Sequence, residues 1–129
     1  MGRKYLFKAK NARRFNKYGV DLTVYGENYP PANVVHVHVA KGHFQEFFQL
    51  KSAFIYYIIK GRGTFYLNDQ KVEVEATDLV VIPPKTRIHY FGKMDMVLTV
   101  APAFNEKNER HVRFVDKKES PYWKARKSP

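Results

Sequence analysis

From Val20 onward the sequence consists of short runs rich in β-branched and aromatic residues. Turn-forming residues separate these runs at spacings of about 8–12 residues, which is typical of an all-β sandwich or barrel. The runs are DLTVYG, NVVHVHVA, HFQEFFQL, AFIYYIIKG, GTFYLN, KVEVEA, DLVVIPP, IHYFG and MVLTVAPAF. The pattern therefore predicts one all-β domain.

Local signals give details of this domain. The pair Asn68-Asp69 separates two strand-like runs and fits a two-residue hairpin turn, because both residue types tolerate positive φ. In the following run, KVEVE, strict alternation predicts that Val72 and Val74 face the core. Near the carboxyl end, we expect Asn105 to cap a short helix, followed by a closing strand in HVRFV.

The charge lies at the two ends of the chain. Residues 1–18 hold seven basic and no acidic side chains, residues 117–129 hold five basic and one acidic, and together they account for the formal net charge of +11. We therefore divide the chain into a basic amino-terminal extension (1–18), a barrel domain (19–116) and a basic carboxyl-terminal tail (117–129). These ends either remain solvated or bind a polyanion such as nucleic acid.

The composition excludes several classes of protein. With no cysteine among 129 residues, the chain has neither a disulfide nor a thiolate nucleophile. No apolar run approaches the roughly 20 residues of a membrane span, and the amino terminus lacks the apolar core of a secretory signal. We expect a cytoplasmic protein with no membrane partner.

The stretch 42-GHFQEFFQLKSAFIYYIIKGRG-63 resembles the first motif of the cupins, which are small double-stranded β-helix (jelly-roll) barrels. That motif runs Gly, five residues, His-x-His, three or four residues, Glu, six residues, Gly. Gly42 and Gly61 take the glycine positions. Phe48 and Leu50 then stand at the two histidines, and Phe54 at the glutamate.

The second cupin motif falls on residues 77–92, with Pro83 at its proline and Ile88 at its histidine position. The resemblance spans roughly residues 32–104 and implies a cupin jelly-roll barrel. In cupins the three histidines and the glutamate hold a divalent transition metal. Phe, Leu, Phe and Ile cannot donate a lone pair to a cation, so we expect a protein without metal or other cofactor.

The histidines offer one alternative to this expectation. His36 and His38 share one face of a strand and would suit a non-standard metal site. The opposite face carries Val35, Val37 and Val39. Three valines favour burial in the core more strongly than two imidazoles, so we expect both imidazoles to face solvent or a partner subunit.

The other histidines have weaker signals. Alternation points His89 away from the interior, although a β-bulge after the prolines would reverse it. We expect His43, beside the Gly42 turn, to be exposed, and His111 has no partner visible in the sequence.

Strand alternation predicts an aromatic-lined cavity with a few polar tips, a composition typical of small-ligand pockets. The side chains expected to line it and bind ligand are Glu46, Phe48, Leu50, Phe54, Tyr56, Ile88 and Tyr90.

The favoured function is a metal-free cupin that binds a sugar or organic acid in this cavity, or that serves as a non-catalytic oligomeric module. The sequence thus favours a protein that is not an enzyme. The alternative is a metal-independent sugar isomerase or epimerase, with Glu46 and His89 as candidate catalytic residues beside Tyr90. A further alternative is a polyanion-binding module acting through the basic ends. The habit of the family implies a homodimer.

Overall fold

The computed structural model describes residues 5–123. These residues form nine antiparallel strands and three short 3-10 helices. The strands are β1 (Arg13–Lys17), β2 (Val20–Tyr25), β3 (Asn33–Val39), β4 (Gly42–Gln49), β5 (Ala53–Leu67), β6 (Gln70–Glu75), β7 (Leu79–Ile82), β8 (Ile88–Ala101) and β9 (Glu109–Phe114). The 3-10 helices are Ala9–Asn11, Glu106–Asn108 and Lys117–Glu119.

The barrel closes around two long strands. β5 and β8 pair along their full lengths, from Ala53 opposite Ala101 to Leu67 opposite Ile88. On its other edge, β8 pairs first with β4 and then with β3, while β5 pairs with β6 and β7. Because each long strand is shared between several partners, the sheet curls upon itself. The predicted all-β jelly-roll barrel is confirmed.

Inward-facing apolar side chains of β3, β5 and β8 form the centre of the core. Each such side chain contributes about 1.5–3 kcal/mol through its removal from water. The buried members on these strands are Val35, Val37, Val39, Phe54, Tyr56, Ile58, Phe65, Ile88, Tyr90, Met94, Met96, Leu98 and Val100. Val35, Val37 and Val39 thus lie in the core, as their alternation predicts.

The local predictions are also confirmed. Asn68 (φ 50°) and Asp69 (φ 70°) form the hairpin turn between β5 and β6. Val74 is buried and Val72 packs against the core. The Asn105 side chain accepts a hydrogen bond from the Lys107 amide and caps the 3-10 helix that precedes β9.

The basic ends are only partly separate from the barrel. β1 lies within the amino-terminal extension and pairs with β2 from Arg13 opposite Val24 to Lys17 opposite Val20. The extension therefore contributes a strand to the sheet. The outermost parts of both ends, residues 1–4 and 124–129, lie outside the described residues. The proposed domain division stays a prediction.

His36 and His38 lie on the outer face of β3, half-exposed beside one carboxylate. His36 Nε2 is 3.5 Å and His38 Nδ1 is 3.0 Å from Asp95 Oδ1. Across residues 5–123, no group of three His, Asp or Glu side chains is placed to hold a metal ion. The homodimer through this face stays a prediction. Within the same residues, no helix has the length and apolar character needed to cross a membrane.

Candidate active site

A cavity of about 540 Å³ opens between β1, β2, β3, β4 and the carboxyl-terminal segment. This volume lies within the range of about 300–1,000 Å³ that small-molecule pockets occupy. Valines and leucines of β2, β3 and β8 line one side. The buried end holds His43, Phe47, Phe54, Tyr56 and Tyr90.

The register of β4 decides which of its side chains enter this cavity. His43 lies opposite Tyr90 and Phe47 lies opposite Ile88, with a β-bulge between the two pairs. Residues that lie directly opposite each other share a face of the sheet, so His43 lies on the face of Tyr90. The odd-numbered His43 and Phe47 therefore contribute to the cavity wall.

The prediction of which β4 side chains face the cavity is wrong, because the inward positions are shifted by one residue. Neither Glu46, Phe48 nor Leu50 lines the cavity. A shift of a single residue moves every side chain of a strand to the opposite face. Leu50 also lies beyond the end of β4, which is at Gln49.

Glu46 is buried behind the cavity wall in a charged cluster. Its Oε2 accepts a hydrogen bond from Arg87 Nη1 at 3.1 Å, and its Oε1 accepts one from Arg113 Nε at 3.1 Å. His89 Nδ1 lies 3.6 Å from the same carboxylate, and the His89 ring stacks on Tyr66 with 5.0 Å between centroids. Burial lowers the pKa of His89.

Glu46 and His89 therefore meet, but outside the cavity. His89 points away from the interior, as alternation predicts, and is buried by its neighbours rather than exposed. An isomerase mechanism that uses these two side chains on a ligand in the cavity has no geometric basis.

The remaining predicted lining residues divide into two groups. Phe54, Tyr56 and Tyr90 belong to the cavity wall. Ile88 is buried in the core but does not contribute to the wall. Whether the three wall residues bind a ligand stays a prediction.

His43 is buried, with 4% of its surface exposed, so the expectation of an exposed side chain is wrong. Its ring packs against Phe47 and Tyr90, with centroid distances of 5.1 and 5.3 Å. Its Nδ1 lies 2.7 Å from the Gln45 carbonyl oxygen. Because a carbonyl oxygen only accepts, Nδ1 carries the proton and Nε2 keeps a lone pair in the neutral ring.

Burial is the main reason that the pKa of His43 falls to about 4, and the charge of Lys17 acts in the same direction. The ring is therefore neutral at physiological pH. A neutral imidazole in a mostly apolar cavity can accept a proton from a bound molecule.

Two tyrosines lie at the same end of the cavity: Tyr90 on β8 packs against this imidazole, and Tyr56 on β5 packs against Tyr90. Their rings meet edge to face, with 5.7 Å between centroids. Burial raises the pKa of both phenols, and for Tyr56 the neighbouring Tyr90 adds to the rise. Both hydroxyls therefore stay protonated at neutral pH and can donate hydrogen bonds to oxygen atoms of a ligand.

Charged pairs from the amino-terminal strand form the exposed rim of the cavity. Lys17 Nζ lies 2.9 Å from Glu109 Oε1, and Arg13 Nη1 lies 2.9 Å from Glu27 Oε2. Arg13 and Lys17 belong to the basic amino-terminal extension, and in the structure they border the cavity.

The usual cupin metal does not fit the side chains present. Phe54 in the wall has no donor atom, and His43 stands without a second imidazole in the cavity lining. The absence of a metal requirement stays a prediction.

Sequence reasoning missed His43 and Phe47 because the pattern pointed to the other face. In β4 the even positions, with Phe44 and Phe48, look more apolar than the odd positions, with Gln45 and Gln49. Alternation alone therefore selects the wrong face, and only the pairing with β8 identifies the right one.

Comparison with known proteins places these features in context. The family model of the AraC-like ligand binding domain matches residues 36–91. An uncharacterized protein of Methanocaldococcus jannaschii is 53% identical over 32 residues, which is about a quarter of each chain.

Solved structures match over much longer stretches. The chain is 59% identical to Pac13, described as a unique nucleoside dehydratase, with a TM-score of 0.89 and coverage of 93% of this chain and 100% of that one. Streptomyces PAC13 has also been solved with uridine in three single-substitution variants, one His to Gln and two Tyr to Phe. The first of these is 58% identical, with a TM-score of 0.90 and coverage of 94% and 100%.

A more distant match shows the fold alone. An RmlC-like cupin from Shewanella frigidimarina is 14% identical, with a TM-score of 0.67 and coverage of 81% of this chain and 96% of that one.

Proposed function

The chain belongs to the cupin superfamily, and from this premise we propose that it is an enzyme that removes water from a uridine-type nucleoside bound in the barrel. The earlier preference for a protein that is not an enzyme is wrong, because the similarity to a nucleoside dehydratase extends over the whole of that enzyme's chain at 59% identity.

One observation carries the proposal: a neutral, buried imidazole and two protonated phenols line the buried end of the same, mostly apolar cavity. His43, Tyr56 and Tyr90 are the polar side chains at the buried end. The residue types substituted in the uridine-bound structures of the Streptomyces protein, one histidine and two tyrosines, are the same three types.

These groups suit a β-elimination. His43 Nε2 accepts a proton from a ribose carbon, and the C–H electron pair forms the new C=C bond. The C–O bond on the next carbon breaks, and the departing hydroxide takes a proton to leave as water. The proton comes from the imidazolium of His43 or from a tyrosine hydroxyl, so that atoms and charge balance.

The carbon that loses its proton needs activation. A ribose C–H is not acidic unless a carbonyl group stands beside it, so the substrate is a uridine with one oxidised ribose carbon. Tyr56 and Tyr90 would then donate hydrogen bonds to the enolate oxygen that develops, and such oriented donors act more strongly in a dry site.

The other walls suit the rest of a nucleoside. Val35, Val37, Leu98 and Val100 give an apolar wall against which a pyrimidine ring would pack. The paired charges at the rim lie where a ligand enters. This arrangement supports binding of a neutral nucleoside in preference to a charged nucleotide, because Lys17 and Arg13 are already neutralised by Glu109 and Glu27.

The test uses uridine as a binding probe and a set of uridines, each oxidised at one ribose carbon, as substrates. We expect uridine to shift cavity resonances in NMR spectra, and one oxidised uridine to lose a molecule of water, detected by mass spectrometry.

The control is His36→Gln, which changes a half-exposed histidine on the outer face, while His43→Gln removes the proton acceptor. Water loss at equal rates in these two variants, or no water loss from any oxidised uridine, would refute the proposal.

A further inference from the structure

A second concave site lies on the outer surface, away from the nucleoside cavity. It is a groove of about 390 Å³, and none of its lining residues lines the first cavity. Four cationic side chains and two exposed aromatic side chains dominate it, namely Lys41, Arg62, Lys93, Lys117, Tyr122 and Trp123. The lining described for this groove includes no aspartate or glutamate.

Two of the cations are held directly opposite each other. Arg62 on β5 pairs with Lys93 on β8 in the antiparallel register. Like charges in this position destabilise a sheet. The fold nevertheless brings the two strands close here, because Gly61 (φ +88°) and Gly92 (φ +133°) leave no side chain between the backbones.

Three of these cations form no ion pair within the described part of the chain. Among residues 5–123, no ion pair joins Lys41, Arg62 or Lys93 to a carboxylate, and Glu75, the neighbour of Arg62 on β6, forms none with it. Unpaired positive charges that converge on a groove provide a binding site for an anion.

The aromatic side chains are fixed in position. The Tyr122 hydroxyl lies 3.0 Å from Thr64 Oγ1, a buried side chain on β5. Lys117 Nζ lies 5.2 Å from the centroid of the Trp123 ring. Both rings remain partly exposed, at 45% and 40%, and they offer a surface on which a planar base can stack.

We propose that this groove binds a nucleotide, with the phosphate between Arg62 and Lys93 and the base against Trp123 or Tyr122. The groove volume of about 390 Å³ lies within the range of small-molecule pockets, so we expect a free nucleoside monophosphate as the ligand. The same chemistry is also presented by one nucleotide of a single-stranded nucleic acid. The inference does not depend on the reaction proposed for the cavity.

The experiment exploits the single tryptophan of the chain, Trp123, whose emission reports on this groove. Full-length protein is titrated with UMP, uridine, inorganic phosphate and a single-stranded oligouridylate, and the UMP titration is repeated in excess uridine. We expect UMP to quench the emission of Trp123 in a saturable way, and excess uridine to leave this quenching unchanged. Uridine alone should not quench the emission. Phosphate alone should compete weakly.

The test variant is Arg62→Gln with Lys93→Gln, and the control is Lys51→Gln with Lys71→Gln, which removes the same charge from exposed sites elsewhere. We expect the test variant to weaken binding by at least about tenfold, because it loses two charged hydrogen bonds to the phosphate, and the control to leave binding unchanged. Removal of two like charges should not unfold the sheet, which thermal melting verifies.

Each outcome decides the matter. Quenching by UMP that the test variant loses supports a free-nucleotide site, and quenching by the oligouridylate alone, lost in the same variant, supports the nucleic-acid source. The proposal is overturned if neither ligand quenches Trp123, if uridine quenches as strongly as UMP, or if the control variant weakens binding equally. If the test variant melts at a lower temperature than the parent protein, Lys41→Gln is used instead. It should also weaken UMP binding, and unchanged binding would count against the proposal.

Discussion

The Nδ1 atom of His43 lies 2.7 Å from the backbone carbonyl oxygen of Gln45, two residues further along the same strand. This contact fixes the tautomer of the ring, because the carbonyl can only accept. It also holds the imidazole beside Tyr90, whose ring centroid is 5.3 Å away. The strand itself therefore orients the proposed proton acceptor.

The first prediction concerns the removal of that acceptor. We expect His43→Gln to lower the rate of water loss by about 10²–10⁴-fold, the usual contribution of a general base. Uridine binding should change far less, because the apolar walls remain. Single-turnover kinetics and calorimetric titration with uridine measure the two effects, and an equal loss of binding and rate would contradict the assigned role.

The second prediction concerns the pH dependence of the reaction. A base with a pKa of about 4 remains neutral until the solution is distinctly acidic, so kcat/KM should fall only as the pH drops through about 4. The pH profile of kcat/KM reports the free enzyme. An acidic limb near 6.5, the ordinary value for histidine, would show that another group is the base or that His43 is solvated.

The third prediction is a loss of stability in mild acid. The pKa of His43 is about 4 in the folded protein, against 6.5 as the ordinary value. Between these two values the unfolded chain binds more protons, so the free energy of unfolding decreases as the pH is lowered, by about 3 kcal/mol in total from this group. His89, whose pKa is also lowered by burial, acts in the same direction.

Urea denaturation at several pH values measures this dependence. His43→Gln should show a shallower decrease between about pH 6.5 and pH 4, because one of the two buried imidazoles is gone. An identical slope in the parent protein and the variant would mean that His43 titrates normally.

The fourth prediction concerns the carboxylate behind the cavity wall. Glu46→Gln leaves Arg87 and Arg113 without their shared buried partner, although each retains a second carboxylate, Asp69 and Glu119 respectively. Breaking a buried ion pair is strongly destabilising, and we expect a loss of about 2 kcal/mol in the free energy of unfolding.

The matched control is Glu73→Gln, which removes a largely exposed carboxylate 3.6 Å from Lys71. Exposed pairs of this kind contribute about 0–1 kcal/mol, so its urea midpoint should hardly move. Equal midpoints for the two variants would show that the Glu46 cluster does not stabilise the fold.

The fifth prediction separates the cost of an unfavourable backbone conformation from the cost of a steric clash. Gly61 and Gly26 both have positive φ, but a Cβ at Gly61 would collide with the Lys93 carbonyl, whereas at Gly26 the nearest atom would be 3.7 Å away. Gly26→Ala should cost about 1–2 kcal/mol from conformation alone, and Gly61→Ala should cost more because the strands must also separate. Similar thermal midpoints would exclude the close approach of β5 and β8.

The sequence alone determined the fold class and many local features. Alternation in KVEVE and in NVVHVHVA placed Val74 and Val37 in the core, because a strand with one buried face repeats every two residues. Asn68-Asp69 predicted its hairpin since the required backbone angles depend on those two residues alone. The spacing of both cupin motifs identified the barrel, but Phe48 and Leu50, assigned to two of the ligand positions, lie outside the cavity.

The candidate site was decided by tertiary structure. His43 follows a turn and carries no local sign of burial, and it enters the cavity only because β4 pairs with β8 in a register that sets it opposite Tyr90. The same register moves Glu46 behind the wall, where it pairs with Arg87, just before β8, and with Arg113 on β9. Pairing between distant strands depends on the packing of the whole barrel, and a shift of one residue exchanges the two faces of a strand.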